Sequence, residues 1–343
     1  MDGDLPGARG LSSAPDSRRG FAGLPAIGPT AYILIIIIAA VATYLYQLRY
    51  DGIFACQARG YAGDAFLAEC SAHQYGNYEH GAFWFGLEPR ALAAAARARV
   101  LFLGDSRLQV AFSTPETKDW FSRRDASYYL LGFGAGENMN FTGKLLEKIK
   151  PRATAYIINA DNFFETWLTI PVKPIFADPS TGERYKNKSY WQIPHKYFCA
   201  FASPLCGDNF AAFRSEATGT YQLAGAYDAD GRRIKGATVS YSRDINHQNV
   251  QKYLPRAEQL FSQLGVRRDC VILTIIPYAG TRIETARTLA AALGVSFVAP
   301  ELDGLKMFDP THLDSASAQL WAQKFYEAAG PQLERCASGK QTS

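Results

Sequence analysis

Val100–Phe112, VLFLGDSRLQVAF, is the stretch on which the reading of this chain turns. Its first five residues, Val100 to Gly104, are an apolar run of the kind that forms a buried strand. The polar and charged residues after Ser106 open a helix. A serine at such a strand-to-helix junction projects its hydroxyl past the end of the sheet. The helix N-terminus adds unpaired N–H groups and a partial positive charge, which favour a developing oxyanion. Asp105 and Ser106 would serve equally well as ordinary helix caps, so the motif needs a partner elsewhere in the chain.

That partner stands near the other end, in MFDPTHLDSASAQLWAQKFYEAA. Asp309 and His312 lie three apart, before a helix expected from about Ser315 to Ala329. The spacing lets the carboxylate hold one imidazole nitrogen while the other faces a serine hydroxyl. Asp309-Pro310 is also a turn signal. The chain has five histidines, so one in a D-x-x-H frame just before the last helix is seldom chance. The two stretches together point to Ser106 as nucleophile, His312 as base and Asp309 as the group that fixes the imidazole tautomer.

In these blocks the sequence resembles the SGNH (GDSL) hydrolase superfamily. Gly104-Asp105-Ser106 after a hydrophobic strand matches its first block, and Asp309 to His312 matches its last. YYLLGFGAGEN has the shape of the second block, whose glycine role falls on Gly136, with Gly134 as the fallback. The third block, usually G-x-N-D, is matched by Asn162 in AYIINADNFFE, with Asn159 as the other candidate. Here Ala160 stands where glycine is usual and Phe163 where aspartate is usual. The resemblance covers about Arg99 to Gly330. It implies an oxyanion hole made by the N–H groups of Ser106 and Gly136 and the side-chain amide of Asn162. Loss of one such donor costs on the order of 3 kcal/mol of transition-state stabilisation.

A second feature lies near the N-terminus. AYILIIIIAAVATYLYQL, Ala31 to Leu48, carries no charge and shows no polar face. At 1.5 Å rise per residue, about 18 residues just span a bilayer's hydrocarbon core. Ala40-Val41-Ala42 would fit a signal-peptide cleavage site. The apolar run continues past that site, however, and about 30 residues precede it, so an uncleaved transmembrane helix over 31–48 is expected. Residues 1–30, rich in Gly, Pro, Ala and Ser, read as a disordered tail. All six cysteines follow the helix. Cys56 with Cys70, Cys199 with Cys206 and Cys270 with Cys336 are plausible pairs, although spacing alone leaves connectivity open. An even count on one side of the helix suits an oxidising, periplasmic or other extracytoplasmic compartment.

Composition agrees with an ordinary globular domain, with 48% hydrophobic and 20% charged residues. The net charge of +4 is too small and scattered to argue for nucleic acid. No clustered ligand spacing implies a metal or organic cofactor, and GFGAGEN lacks the three-glycine spacing of a dinucleotide loop. Strands are expected at Val100–Leu103, Ser127–Gly132, Ala155–Asn159, Cys270–Ile276 and Val295–Ala299. Helices are expected near Arg107–Phe112, Asn140–Lys148, Asn249–Leu264, Thr281–Leu293 and Ser315–Ala329. This alternation predicts a three-layer α/β/α sandwich around a parallel sheet. The organisation expected is a lead-in at 49–98, an α/β domain at 99–335 and a short tail at 336–343. At about 163–246 the pattern breaks into an irregular insertion whose aromatic residues, Trp167, Tyr190 and Trp191 among them, would suit stacking on sugar rings.

The expectation for function is an esterase or O-acyltransferase, anchored in the inner membrane and acting on acyl, chiefly acetyl, groups of an extracytoplasmic polysaccharide. Similar anchored members of the superfamily work beside membrane-bound acyltransferases, which implies a partner of that kind. The alternative from another class is a catalytically inactive SGNH-like protein that binds glycan or scaffolds a membrane complex.

Overall fold

The computed structural model describes residues 28–72, 74–224 and 238–338. Most of the expected N-terminal tail, part of the expected insertion and the last five residues lie outside them. Strands run in the order β1 (Ala65–Cys70), β2 (Gly76–Asn77), β3 (Val100–Asp105), β4 (Tyr128–Phe133), β5 (Ala155–Asn159), β6 (Ala211–Ser215), β7 (Tyr221–Ala224), β8 (Tyr241–Ser242), β9 (Val271–Thr274), β10 (Thr281–Arg282) and β11 (Ser296–Phe297).

Five of them form a parallel sheet in the order β11-β9-β5-β3-β4. The chain leaves β3 for β4 on one side and returns to β5 on the other, so a topological switch point falls between β3 and β5. In doubly wound sheets the ligand crevice opens there, outside the carboxyl ends of the strands. Successive residues of each strand enter different apolar clusters. Leu101, Leu103, Leu131, Ile158 and Leu273 belong to one, and Val100, Phe102, Leu130, Ile157 and Ile272 to the other. Both faces are therefore buried, which is why the strands read as unbroken apolar runs rather than alternating ones. Leu108, Phe112, Trp120, Trp321 and Phe325 bring the helices Ser106–Phe112, Pro115–Ser122 and Ser315–Ala337 into the second cluster. Met139–Ile149, His247–Leu264 and Ile283–Leu293 contribute to the first.

The structure revises the expected boundaries. The strand expected at Cys270–Ile276 stops at Thr274, and the Ile276 N–H instead donates to Asn159 Oδ1 at 3.3 Å. Val295–Ala299 shortens to Ser296–Phe297. Thr281 and Arg282 pair with β8, so the following helix starts at Ile283. The last helix does not end at Ala329. It continues through Pro331 to Ala337, with Leu333 and Cys336 buried, and thus takes in the first two residues of the expected tail.

The lead-in and the insertion are not appendages. Residues 49–98 supply β1, β2 and the helices Tyr78–Phe85 and Pro89–Arg97. The described part of 163–246 is largely regular, with a 21-residue helix, Thr181–Phe201, followed by β6 and β7. Together they build a four-stranded antiparallel sheet, β2-β1-β6-β7. Gln47–Ser343 is accordingly one compact unit that starts well before residue 99. The antiparallel sheet also closes the open edge of β4. Leu130 N–H donates to Thr218 O at 2.9 Å, and the Arg214 guanidinium donates to Leu130 O and to Gly132 O. An unpaired edge strand is thereby covered.

The first helix is Pro29–Tyr50, of which Pro29–Gln47 is long and apolar enough to cross a membrane. Three disulfides join Cys56 to Cys70, Cys199 to Cys206 and Cys270 to Cys336. The third closes a separation of 66 residues and the second only 7. Chain entropy then assigns about 4 kcal/mol to the former and about 2 kcal/mol to the latter. Urea unfolding should rank the two double cysteine-to-serine variants in that order. Equal losses would show that the long closure adds nothing.

Candidate active site

The end of β3 is fixed by a set of buried polar groups. Asp105 caps the helix Ser106–Phe112, its Oδ1 accepting from Arg107 N at 3.1 Å. Its Oδ2 accepts from Arg107 Nε at 3.0 Å and Nη2 at 2.7 Å. Asn159 Nδ2, at the end of β5, donates to Asp105 Oδ1 at 3.2 Å, while Asn159 Oδ1 takes the Ile276 N–H that follows β9. Three strand ends are thus bolted together beneath Ser106. Arg107 also bonds Asp161, and its guanidinium lies 4.8 Å over the Tyr278 ring. Burial works against the charge of Arg107, but the carboxylates of Asp105 and Asp161 hold it firmly protonated. Burial raises the Asp161 carboxyl, with Arg107 pulling the other way.

Ser106 meets the other end of the chain here. His312 Nε2 lies 2.8 Å from Ser106 Oγ, and His312 Nδ1 lies 2.6 Å from Asp309 Oδ2. An ionised carboxylate only accepts, so the proton is assigned to Nδ1 and the free lone pair of Nε2 faces the serine hydroxyl. Asp309 is itself held by the backbone, its Oδ1 accepting from Thr311 N at 2.7 Å and His312 N at 2.8 Å. Burial pushes its carboxyl up, yet these N–H groups and the imidazole hold it below the usual carboxylate range. The Phe308 ring stacks on the imidazole, with centroids 5.5 Å apart and planes 10° apart. His312 and Asp309 side chains keep 18% and 19% exposure, so the site is shielded but reachable.

The chain matches no protein-family model, no curated protein and no solved structure.

A cavity of about 310 Å³ opens at Ser106 and His312. Its outer wall comes from the antiparallel sheet, through Glu69, Ser71, Phe210, Ala212, Tyr221 and Leu223. Sequence reasoning missed this wall entirely. Gly134 and Ala135 line the cavity as well, whereas Gly136 lies next in the chain, exposed and left-handed at φ +65°. A Cβ at Gly134 would come within 2.8 Å of Asn77 Oδ1 and 3.0 Å of Glu69 Oε2, so a larger residue there would have to displace these side-chain ends. Its N–H donates to Glu79 Oε1 at 2.8 Å. Glu79 Oε2 in turn accepts from Arg214 Nη1 at 2.8 Å and from Tyr221 OH at 2.6 Å. Ala135, at φ +58°, is a non-glycine residue in the left-handed region, a small strain stored in the wall of the cavity.

The remaining expected residues fall differently. The amide of Asn159 is committed to Asp105, as described. Asn162 is exposed and left-handed at φ +55°, a conformation asparagine tolerates. Trp167, Tyr190 and Trp191 do not line the cavity. Trp191 packs edge-on against Phe54, Tyr190 faces outward from its helix, and Trp167 sits in the loop where its carbonyl accepts from Asn138. His195, from the same segment, is buried between Tyr61 OH and Cys56 O, and burial lowers its pKa to about 4. Among the described residues no group of three or more His, Cys, Asp or Glu is placed to hold a metal ion.

Glu69 is the titratable group that the sequence did not single out. Burial first, and the charge of Glu79 second, push its carboxyl up to about 7, against the pull of His80 and His312. The folded state therefore keeps a proton on Glu69 at pH values where the unfolded chain has released it. This raised pKa makes stability fall as pH climbs from about 4.5 to 7. Glu69→Gln mimics the protonated form. Its melting midpoint should exceed that of the parent by about 3 °C at pH 8 and match it at pH 5. The same shift at both pH values would show that ionisation is not the cause.

Proposed function

We propose that this protein is a membrane-anchored serine esterase or O-acyltransferase of SGNH type, acting on short acyl groups of an extracytoplasmic polysaccharide. The observation that carries the proposal is the run of contacts from Ser106 Oγ through His312 to Asp309, at 2.8 and 2.6 Å. Ser106 Oγ attacks the ester carbonyl while His312 Nε2 takes its proton. The same imidazole then protonates the departing alkoxide, leaving an acyl-Ser106 ester. Water or a sugar hydroxyl, deprotonated by His312, attacks that ester and frees the serine. The tetrahedral oxyanion would be met by the N–H of Ser106 and by the loop at Ala135 and Gly136.

Several features support the finer reading. The sheet buried on both faces fits the three-layer sandwich of the superfamily. A cavity of about 310 Å³ is at the small end for ligand sites, which suits an acetyl group better than a long acyl chain. The candidate membrane helix and the three disulfides fit an anchored, extracytoplasmic domain. A membrane-bound acyltransferase remains the partner that the resemblance implies.

One observation favours a second reading, an inactive glycan-binding or scaffold protein. The Gly134 N–H and the Asn159 amide, two candidate oxyanion donors, already serve other carboxylates. Ser106→Ala should lower p-nitrophenyl acetate hydrolysis by about 10⁴-fold or more. A fluorophosphonate probe should label the parent on Ser106 and leave the variant unlabelled. An unlabelled parent with the same residual rate as the variant decides for the inactive reading.

A further inference from the structure

The helix Thr181–Phe201 presents two unlike faces. Tyr185, Gln192, His195 and Cys199 are buried. On the far side Tyr190, Ile193, Tyr197 and Phe201 are 67%, 66%, 68% and 94% exposed. At 100° per residue these four lie within about 80° of one another, a continuous apolar stripe along three turns. Leu205, in the turn that follows, extends it at 61% exposure. A stripe of this size turned to water marks an interaction surface.

What covers it follows from where the helix is held. Phe54 packs edge-on against Trp191, His195 and Phe198. Cys56 O is 2.7 Å from His195 Nε2. The helix is therefore fixed to Ile53–Ala55, six positions beyond Gln47, where the candidate membrane span ends. Six residues reach at most about 20 Å even when extended, and the chain is helical through Tyr50. Covalent linkage alone therefore keeps Ile53–Ala55 within about 20 Å of the end of a span that crosses a bilayer. The composition matches the headgroup layer. Tyrosines prefer the interface. Lys186, exposed, lies on the face of the stripe, and Lys196 flanks it, and cations near the surface favour anionic lipid.

We infer that the stripe Tyr190–Ile193–Tyr197–Phe201 lies in the interface of the same anionic bilayer that the N-terminal helix crosses. It is a second, peripheral contact that sets the orientation of the domain on the membrane. This surface goes beyond the proposed chemistry and does not depend on it; it does rest on the helix Pro29–Gln47 being a membrane span. It also gives the exposed aromatic residues of this segment a lipid partner instead of a sugar.

The test uses the full chain in vesicles of phosphatidylethanolamine and phosphatidylglycerol, prepared with and without brominated acyl chains. Tyr197→Trp adds a fluorophore on the stripe. Leu320→Trp adds one at an exposed position (45%) on the last helix, which packs on the other face of the parallel sheet. After subtracting the parent's emission, brominated lipid should quench the Tyr197→Trp signal at least twofold and leave the Leu320→Trp signal unchanged. A chain that sediments with vesicles while the Tyr197→Trp signal stays unquenched overturns the surface alone, whether a second copy or another protein then occupies the stripe. A chain that does not sediment with vesicles overturns the span and the surface together. Ester hydrolysis, measured in parallel, reports separately on the chemistry.

Discussion

A carboxylate taken out of water at the end of a parallel strand must be surrounded by donors, and the position of Ser106 depends on how Asp105 meets that demand. Its two oxygens take the Arg107 backbone, the Arg107 guanidinium and the Asn159 amide. Because Asn159 also binds the backbone beyond β9, one side chain ties three strands at the end where the sheet opens. Arg107 shares its charge between Asp105 and Asp161, so neither carboxylate is left unpaired. Removing one member of such a set strands a buried charge, at a cost of several kcal/mol.

The second sheet supplies what the parallel sheet lacks. A five-stranded parallel sheet ending at β4 leaves carbonyls unpaired and the region over Ser106 open to solvent. Arg214 answers both problems, covering the β4 carbonyls and pairing with Glu79. Glu79 holds Gly134, and Tyr221 reaches Glu79 from a strand that also walls the cavity. The shape of the cavity is therefore set by contacts between segments 55 to 142 residues apart.

Sequence patterns revealed the parallel strands because strands buried on both faces must be apolar throughout. They revealed Ser106, Asp309 and His312 as a set because each carries a short local signature. The antiparallel sheet stayed hidden. AAFRS and AFLAEC contain charged residues that pass for loop chemistry; Glu79, 135 positions from Arg214, supplies the compensating charge for the first, and burial favours the protonated form of Glu69 in the second. The helix Thr181–Phe201 stayed hidden too. It contains Pro194 and apolar side chains on both its buried and exposed sides, so no polar face announces a 3.6-residue period. The second-block glycine was ambiguous by spacing, and the two candidates are constrained in different ways, Gly134 by the side-chain ends of Asn77 and Glu69 and Gly136 by its left-handed backbone.

Of the residues in the hydrogen-bonded set, His312 and Asp309 lie inside the loop closed by Cys270 and Cys336, while Ser106 lies outside it. A protease that cuts the main chain once between those cysteines leaves both halves covalently joined, with β9 and the last helix still fastened to one another. The histidine then stays attached to the sheet it serves. Wherever proteases reach the chain, this closure turns a 66-residue C-terminal segment into a piece that survives a nick.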